Sequence, residues 1–183
     1  MKSLSNSFLI NMPHLNQDPI FGQSLIYICE HNEEGTMGLI INKPFQDNQS
    51  SSILKDIGLK KIYNKHEVYF GGPVSPEKGF ILHDCNYNKK ETMLIENTAA
   101  VSYSDEIIND IKNGTGPNKF RLVMGYSGWD AGQLEKELEN GDWMIMPSSE
   151  ELIFSKSEQD KWTIAISNLD INFNNFSGQS GLA

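Results

Sequence analysis

The stretch from Arg121 to Leu138 constrains the fold more tightly than any other part of the chain. Leu122, Val123 and Met124 are consecutive apolar residues, the pattern of a strand buried on both faces. Gly125 and Gly128 supply backbone freedom where this strand is expected to turn into a helix. Asp130 is suited to cap that helix, with Gln133 three residues later completing a capping box. Trp129 and Leu134 stand at the two positions of a hydrophobic staple, and Asn140-Gly141 forms a stop. The segment therefore predicts an ordered strand, a tight bend and a short helix.

The bend invites an enzymatic reading, because Gly125-Tyr126-Ser127-Gly128-Trp129 is close to the nucleophile elbow Gly-x-Ser-x-Gly. Trp129, however, occupies the place of the last glycine, where a bulky side chain is excluded. All four histidines (His14, His31, His66 and His83) precede Ser127, whereas the elbow's triad places its acid and histidine downstream. A serine hydrolase is not expected.

The chain of 183 residues fits one domain, long enough to bury roughly 70% of the surface its unfolded form exposes. Its formal charge is −9, and Arg121 is the single arginine. Nucleic-acid contact leans on arginine for bidentate recognition of phosphate and guanine, so direct binding is disfavoured. Lys60, Lys61 and Lys65 form one basic cluster, read as a solvated loop edge. Only if they joined Lys89 and Lys90 in one patch would a direct DNA-binding regulator be supported. The N-terminal apolar run Phe8-Leu9-Ile10 is too short for a signal peptide, and no stretch approaches a membrane span. Cys29 and Cys85 lie far apart, so two reduced thiols in a cytoplasmic protein are expected.

Taken in order, Phe8 to Met12 is a short strand ended by Pro13, followed by a loop in which Asp18-Pro19 starts a turn. Leu25 to Cys29 and Met37 to Ile41 form a hairpin across the polar turn Glu30 to Gly35, and Asn42-Lys43-Pro44 closes it. Ser50-Ser51-Ser52 caps a short helix that stops at Gly58. Val68 to Phe70 is a strand broken by Gly71-Gly72-Pro73. Gly79 to His83 and Thr92 to Glu96 read as an antiparallel pair. Ser104 opens a helix with Ile107, Ile108 and Ile111 facing inward. Trp143 to Met146 is the last strand, and Ser157 caps a final helix whose Trp162, Ala165, Ile166 and Leu169 form a buried stripe. Strands dominate and most neighbours are joined as hairpins, so the fold class is α+β with a mostly antiparallel sheet and short flanking helices. A single domain is expected over residues 1–171, with a loose Asn/Ser/Gly-rich tail over 172–183.

In this order the motifs resemble the YqgE/AlgH family. The first block is Met12-Pro13, Asp18-Pro19, Phe21, Ser24, Tyr27-x-Cys29-Glu30-His31 and Met37 to Pro44. Gly71-Gly72-Pro73-Val74 with Gly79 to His83 is similar to the middle block, and Gly125 to Trp129 with Ala131 to Glu135 to the most specific one. The resemblance implies a single α+β domain whose forked sheet folds into a pseudo-barrel. It also implies a widespread bacterial family without an established biochemical activity, whose name suggests transcriptional regulation. Ser127 stands where the family usually has alanine, Asp130 replaces a usual glycine, and Leu182 replaces a histidine.

The candidate ligand or partner-binding residues are His14, His31, Asn42, Gly71, Gly72, His83, Tyr126, Trp129 and Gln133. Tyr126, Trp129 and Gln133 combine rings with an amide, a set suited to a small-molecule pocket. Gly71-Gly72 and the Gly125/Gly128 bend could cradle an anion on backbone amides, although Asp130 brings a negative charge to that helix end, and turn geometry explains the glycines. His14, His31 and His83 with Asp18 and Glu30 lack the paired spacing of a metal site, so histidines bonded to turns are expected, without metal or cofactor. Cys29, on an apolar strand, is expected to be inert. These features favour a non-enzymatic, regulatory protein that binds a protein partner or small ligand. The alternatives are the DNA-binding regulator and an enzyme with a pocket near Tyr126, Trp129 and His14 or His31. In thermal melts, zinc and manganese are expected to leave the midpoint unchanged; a rise of several degrees would revive a metal site.

Overall fold

A computed structural model describes residues 3–59, 68–154 and 158–169. Nine strands are described: β1 (Ser7–Asn11), β2 (Leu25–Asn32), β3 (Gly35–Ile40), β4 (Val68–Phe70), β5 (Val74–His83), β6 (Thr92–Ile95), β7 (Ala99–Ser102), β8 (Phe120–Asp130) and β9 (Trp143–Pro147). Five helices accompany them: α1 (Asp47–Asp56), α2 (Asp105–Asn113), α3 (Gln133–Glu139), α4 (Glu150–Phe154) and α5 (Glu158–Asn168). The strands run in the order β6-β7-β5-β8-β3-β2-β1-β9, with β4 added beside β8. Every pairing is antiparallel except β4 with β8, so the mostly antiparallel α+β expectation holds.

The sheet forks at β8. Residues 120–124 of that strand lie between β5 and β4, whereas residues 127–130 pair with β3. Gly71 sits in the angle of the fork. Its backbone N–H donates to the Met124 carbonyl (2.8 Å), and its own carbonyl accepts from the Ile40 N–H (3.0 Å) and the Ser127 hydroxyl (3.1 Å). The two strands that part at this point are thus tied through a third backbone. A Cβ at Gly71 would lie 2.3 Å from the Gly125 carbonyl oxygen, and one at Gly125 would lie 2.5 Å from the Gly72 oxygen. Gly125 also has a φ of +69°, a left-handed value. Glycine is required here because backbone passes against backbone.

Period-two alternation splits the core into three parts. Phe8, Ile10, Leu25, Tyr27, Leu39, Ile41 and Val123 face the inside of the curled sheet, where Leu152 and Ile153 of α4 and Ala165 and Ile166 of α5 cover them. The intervening Leu9, Ile26, Ile28 and Ile40 pack outward with Trp129, Trp143 and Leu134 of α3. Val68, Ile81 and Leu122 pack on the other outer face, under Leu54 of α1 and Ile107 and Ile111 of α2. Each large apolar side chain removed from water contributes roughly 1.5–3 kcal/mol, so strands buried on both faces carry most of the stability.

The curl is closed by a polar knot. Asn6 donates to Glu96 Oε2 (2.7 Å) in the β6–β7 turn and accepts from the Tyr27 hydroxyl (2.9 Å) and the Ser148 hydroxyl. Those contacts join the residue before β1 to the opposite edge of the sheet and to the segment after β9, giving a half-barrel. Tyr27 is fully buried, and desolvation raises its phenol well above the ordinary range.

Several local expectations need correction. Gly125 to Trp129 form no strand-to-helix bend, because β8 runs through them to Asp130. Asp130 is not the cap of α3; Gly132 holds that place with φ +73°, and the Gln133 amide oxygen accepts from the Asp130 N–H (3.0 Å). Thr92 to Ile95 does not pair with Gly79 to His83, since β7 lies between them and the short run Ala99 to Ser102 escaped notice. Helix α1 starts at Asp47 behind Gln46, so Ser50 is a buried helical residue rather than a cap. Lys60, Lys61, Lys65, His66, the capping role of Ser157 and the tail fall outside the described residues.

Replacing Gly71 with alanine should destabilise the protein by about 2–4 kcal/mol, through backbone crowding. Gly128→Ala, where the new Cβ meets side chains alone, the edge of the Tyr126 ring at 3.3 Å and Val74 Cγ2 at 3.7 Å, should change stability by less than about 1 kcal/mol. Urea titration of both variants checks the contrast, and equal midpoints would remove the fork's backbone crossing as its explanation.

Candidate functional site

Each candidate histidine is placed by a structural bond. The Leu4 backbone N–H donates to His31 Nδ1 (3.1 Å), which leaves the ring proton on Nε2, where it is donated to Glu135 Oε1 (3.0 Å). The buried His31 thereby ties the N-terminal segment to α3. Glu135 is held below the usual carboxylate range, first by a backbone N–H and then by this imidazole. His83 is fully buried; its Nδ1–H donates to the Asp84 carbonyl (2.7 Å), and Nε2 accepts from the Ser102 hydroxyl (3.0 Å). Ser102 is in turn 2.9 Å from the Thr92 hydroxyl. Burial pushes the imidazole below its ordinary value. His14 is exposed at the turn after β1, with Nε2 3.7 Å from Asp142 Oδ1.

Asn42 closes the β2–β3 hairpin as a clamp, accepting from the Leu25 N–H (2.8 Å) and donating to the Gln23 carbonyl (2.8 Å). Gly71 and Gly72 approach β8 so closely that no anion fits against them; a Cβ on Gly72 would lie 2.3 Å from the Tyr126 carbonyl. Ser127 is buried, and the recorded hydrogen bond of its hydroxyl goes to Gly71. None of the hydrogen bonds of His14, His31 and His83 reaches it. Cys29 is buried, and desolvation raises its thiol far above the ordinary value, as expected of an inert core cysteine. Among the described residues no group of three or more His, Cys, Asp or Glu side chains is placed to hold a metal ion.

Trp129 and Gln133 come together, but for packing. Glu137 accepts the indole N–H groups of Trp129 (2.7 Å) and Trp143 (2.8 Å) on one oxygen and the Gln133 amide (2.9 Å) on the other. The two indoles meet edge to face at 6.0 Å, so Glu137 clamps α3 over β8 and β9. Glu137 was not legible as functional or structural, since a glutamate on the face of a short helix looks like ordinary surface charge.

Besides a hollow of about 380 Å³ beside α1 and α2, lined by Asp56, Ile57, Asp105, Ile108, Asn109 and Lys112, a trough opens at the mouth of the half-barrel. One hollow, of about 370 Å³, is lined by Met37, Phe80, Met93, Val101 and Tyr103 with Glu30, Lys90, Glu91 and Thr92. A second, of about 340 Å³, shares Glu30 and Met37 and adds Val74, Tyr126, Gly128 and Trp129 with Glu34 and Asp130. Met37, Met93 and Tyr126 pack against the inner core from this side, and Phe80 meets Tyr126 edge to face at 6.0 Å. Of the sequence candidates only Tyr126 and Trp129 line the trough; His14 and His31 do not. Met37, Met93 and Tyr103 were missed because single apolar residues on short strands, or just after one as Tyr103 is, carry no signal until the sheet curls.

Residues 8–174 match the AlgH-like family profile. The chain belongs to this family. A UPF0301 protein of Cupriavidus pinatubonensis is 39% identical over 183 residues, covering 99% of this chain and 96% of its own. One from Hahella chejuensis is 38% identical, covering 100% and 98%. Among solved structures, the solution structure of AlgH from Pseudomonas aeruginosa matches with a TM-score of 0.75 at 34% identity, covering 100% of this chain and 97% of that one. A Corynebacterium diphtheriae protein shares the fold with a TM-score of 0.73 at 18% identity, covering 98% and 93%. None of these names states a reaction, and the family is uncharacterised. This AlgH-like chain keeps the single-domain, curled antiparallel sheet of its relative.

The buried His83 predicts a pH dependence. Above the ordinary histidine value of 6.5 the ring is neutral in folded and unfolded chains alike. Below it the unfolded chain takes up a proton that folded His83 resists, so this residue lowers stability as pH falls through about 6.5. Urea midpoints between pH 8 and pH 5 should fall for the wild type and fall less for His83→Gln; parallel slopes would count against this role.

Proposed function

We propose that this AlgH-like protein is a non-enzymatic regulator that works by holding a partner in the trough at the mouth of its half-barrel. The observation that carries this reading is a contrast. Near the 126–133 segment the hydroxyl, imidazole and carboxylate groups of Ser127, His31, Glu135 and Glu137 bond to one another or to backbone and indoles, which leaves no nucleophile and base poised together. The solvent-facing hollows next to them instead combine thioethers and aromatic rings, the side chains of adaptable recognition surfaces, with charged groups around them. A net charge of −9 and the pairing of Lys89 with Glu106 and Asp110 weigh against direct DNA contact.

Affinity capture from extracts of the source cells, with the proteins recovered identified by mass spectrometry, tests the reading. A partner held by the wild type and by Lys136→Glu on α3, but lost with Tyr103→Glu and Met37→Glu, is the expected result. Tyr103 is two-thirds exposed, so its variant should fold normally. Equal recovery with all four proteins would remove the trough as the binding surface.

A further inference from the structure

The rim of the trough is acidic, and its position follows from local strand irregularities. A register shift between Ile28 and Glu30 in β2 re-aims Glu30 toward the opening. Glu34 lies in the β2–β3 turn, Asp130 ends β8, and Glu91 precedes β6. These four carboxylates line the two hollows, against Lys90 as the one cation in either lining. Among the described residues none of the four is in an ion pair, as with several other surface carboxylates; Glu30 Oε1 accepts a hydrogen bond from the Asn32 side-chain amide (2.8 Å). Between the carboxylates lie Met37, Met93, Phe80 and Tyr126, and Tyr103 stands exposed at the edge, its face open to a cation.

Resting on the reading of the trough as the binding surface, we propose that its occupant is an extended protein segment in which lysine or arginine alternates with apolar residues. An extended chain places alternate side chains on opposite sides, one set toward the methionines and rings and the other toward the rim. Two adjoining hollows sharing the Glu30 and Met37 walls suit such a length of chain better than one compact molecule. Acidic groups without a basic partner around an apolar floor favour a cationic partner in rate and in orientation and repel an acidic one.

The test titrates isotope-labelled full-length protein with a ten-residue amidated peptide of alternating lysine and leucine, and with its glutamate analogue. Shifts confined to the trough, for the lysine peptide alone, are expected. The double variant Glu30→Gln/Glu91→Gln should bind it about threefold to tenfold more weakly. Asp56→Asn/Glu139→Gln, which removes the same charge from exposed positions on α1 and α3, should bind like the wild type. Equal weakening in both variants, binding of the glutamate peptide, or no binding overturns the cationic assignment while leaving the trough reading to its own test. Amide shifts that map away from the trough for both peptides overturn the assignment and the reading together.

Discussion

Three hydrogen bonds on one glycine hold the two halves of this molecule together. Gly71 lies where β3 and β8 separate, and its backbone satisfies Met124 on one side and Ile40 and Ser127 on the other. Two strands that diverge inside a core would otherwise leave N–H and carbonyl groups buried without partners, at roughly 1–3 kcal/mol each. With that gap filled, one long strand serves two sheets: β8 takes β4 and β5 along its first half and β3 along its second. The curl, the inner core and the mouth lined by Met37 and Tyr126 all follow from that divergence.

The same junction explains the hydroxyl at Ser127. It resembles a nucleophile only in the linear sequence; in the fold it is a buried crosspiece between the diverging strands. His31 and His83 follow the same logic, each with both ring nitrogens engaged by a backbone group and a neighbouring side chain. Chemically reactive residue types are spent here on joining elements that the topology brings together from distant parts of the chain.

Much of the architecture was legible in the residues. The double-sided apolar runs at Leu25 to Cys29 and Leu122 to Val123 identified buried strands, because no exposed strand tolerates such composition. The stripe of Trp162, Ala165, Ile166 and Leu169 identified α5 and its inner face. What failed were features decided by tertiary packing. Gly125 to Trp129 carries the glycines of a bend, yet Gly125 (φ +69°) serves only as an irregularity in β8, and cross-strand bonding of Tyr126 to β5 and of residues 127–130 to β3 carries the strand on. Ala99 to Ser102 is too short to stand out, although it is the strand that separates β5 from β6. The trough was the least legible part, since its lining comes from six strands and the segments joining them, and apart from Val101 and Tyr103 its apolar residues are scattered along the chain.

The place of β1 has a consequence for how the molecule comes into being. It lies between β2, its neighbour in sequence, and β9, which is more than 130 residues away, with Phe8 opposite both Tyr27 and Met146. During synthesis the first strand therefore presents an unpaired, apolar edge until β9 has emerged. A pairing between strands so far apart in sequence forms late, because the intervening chain must first be brought together.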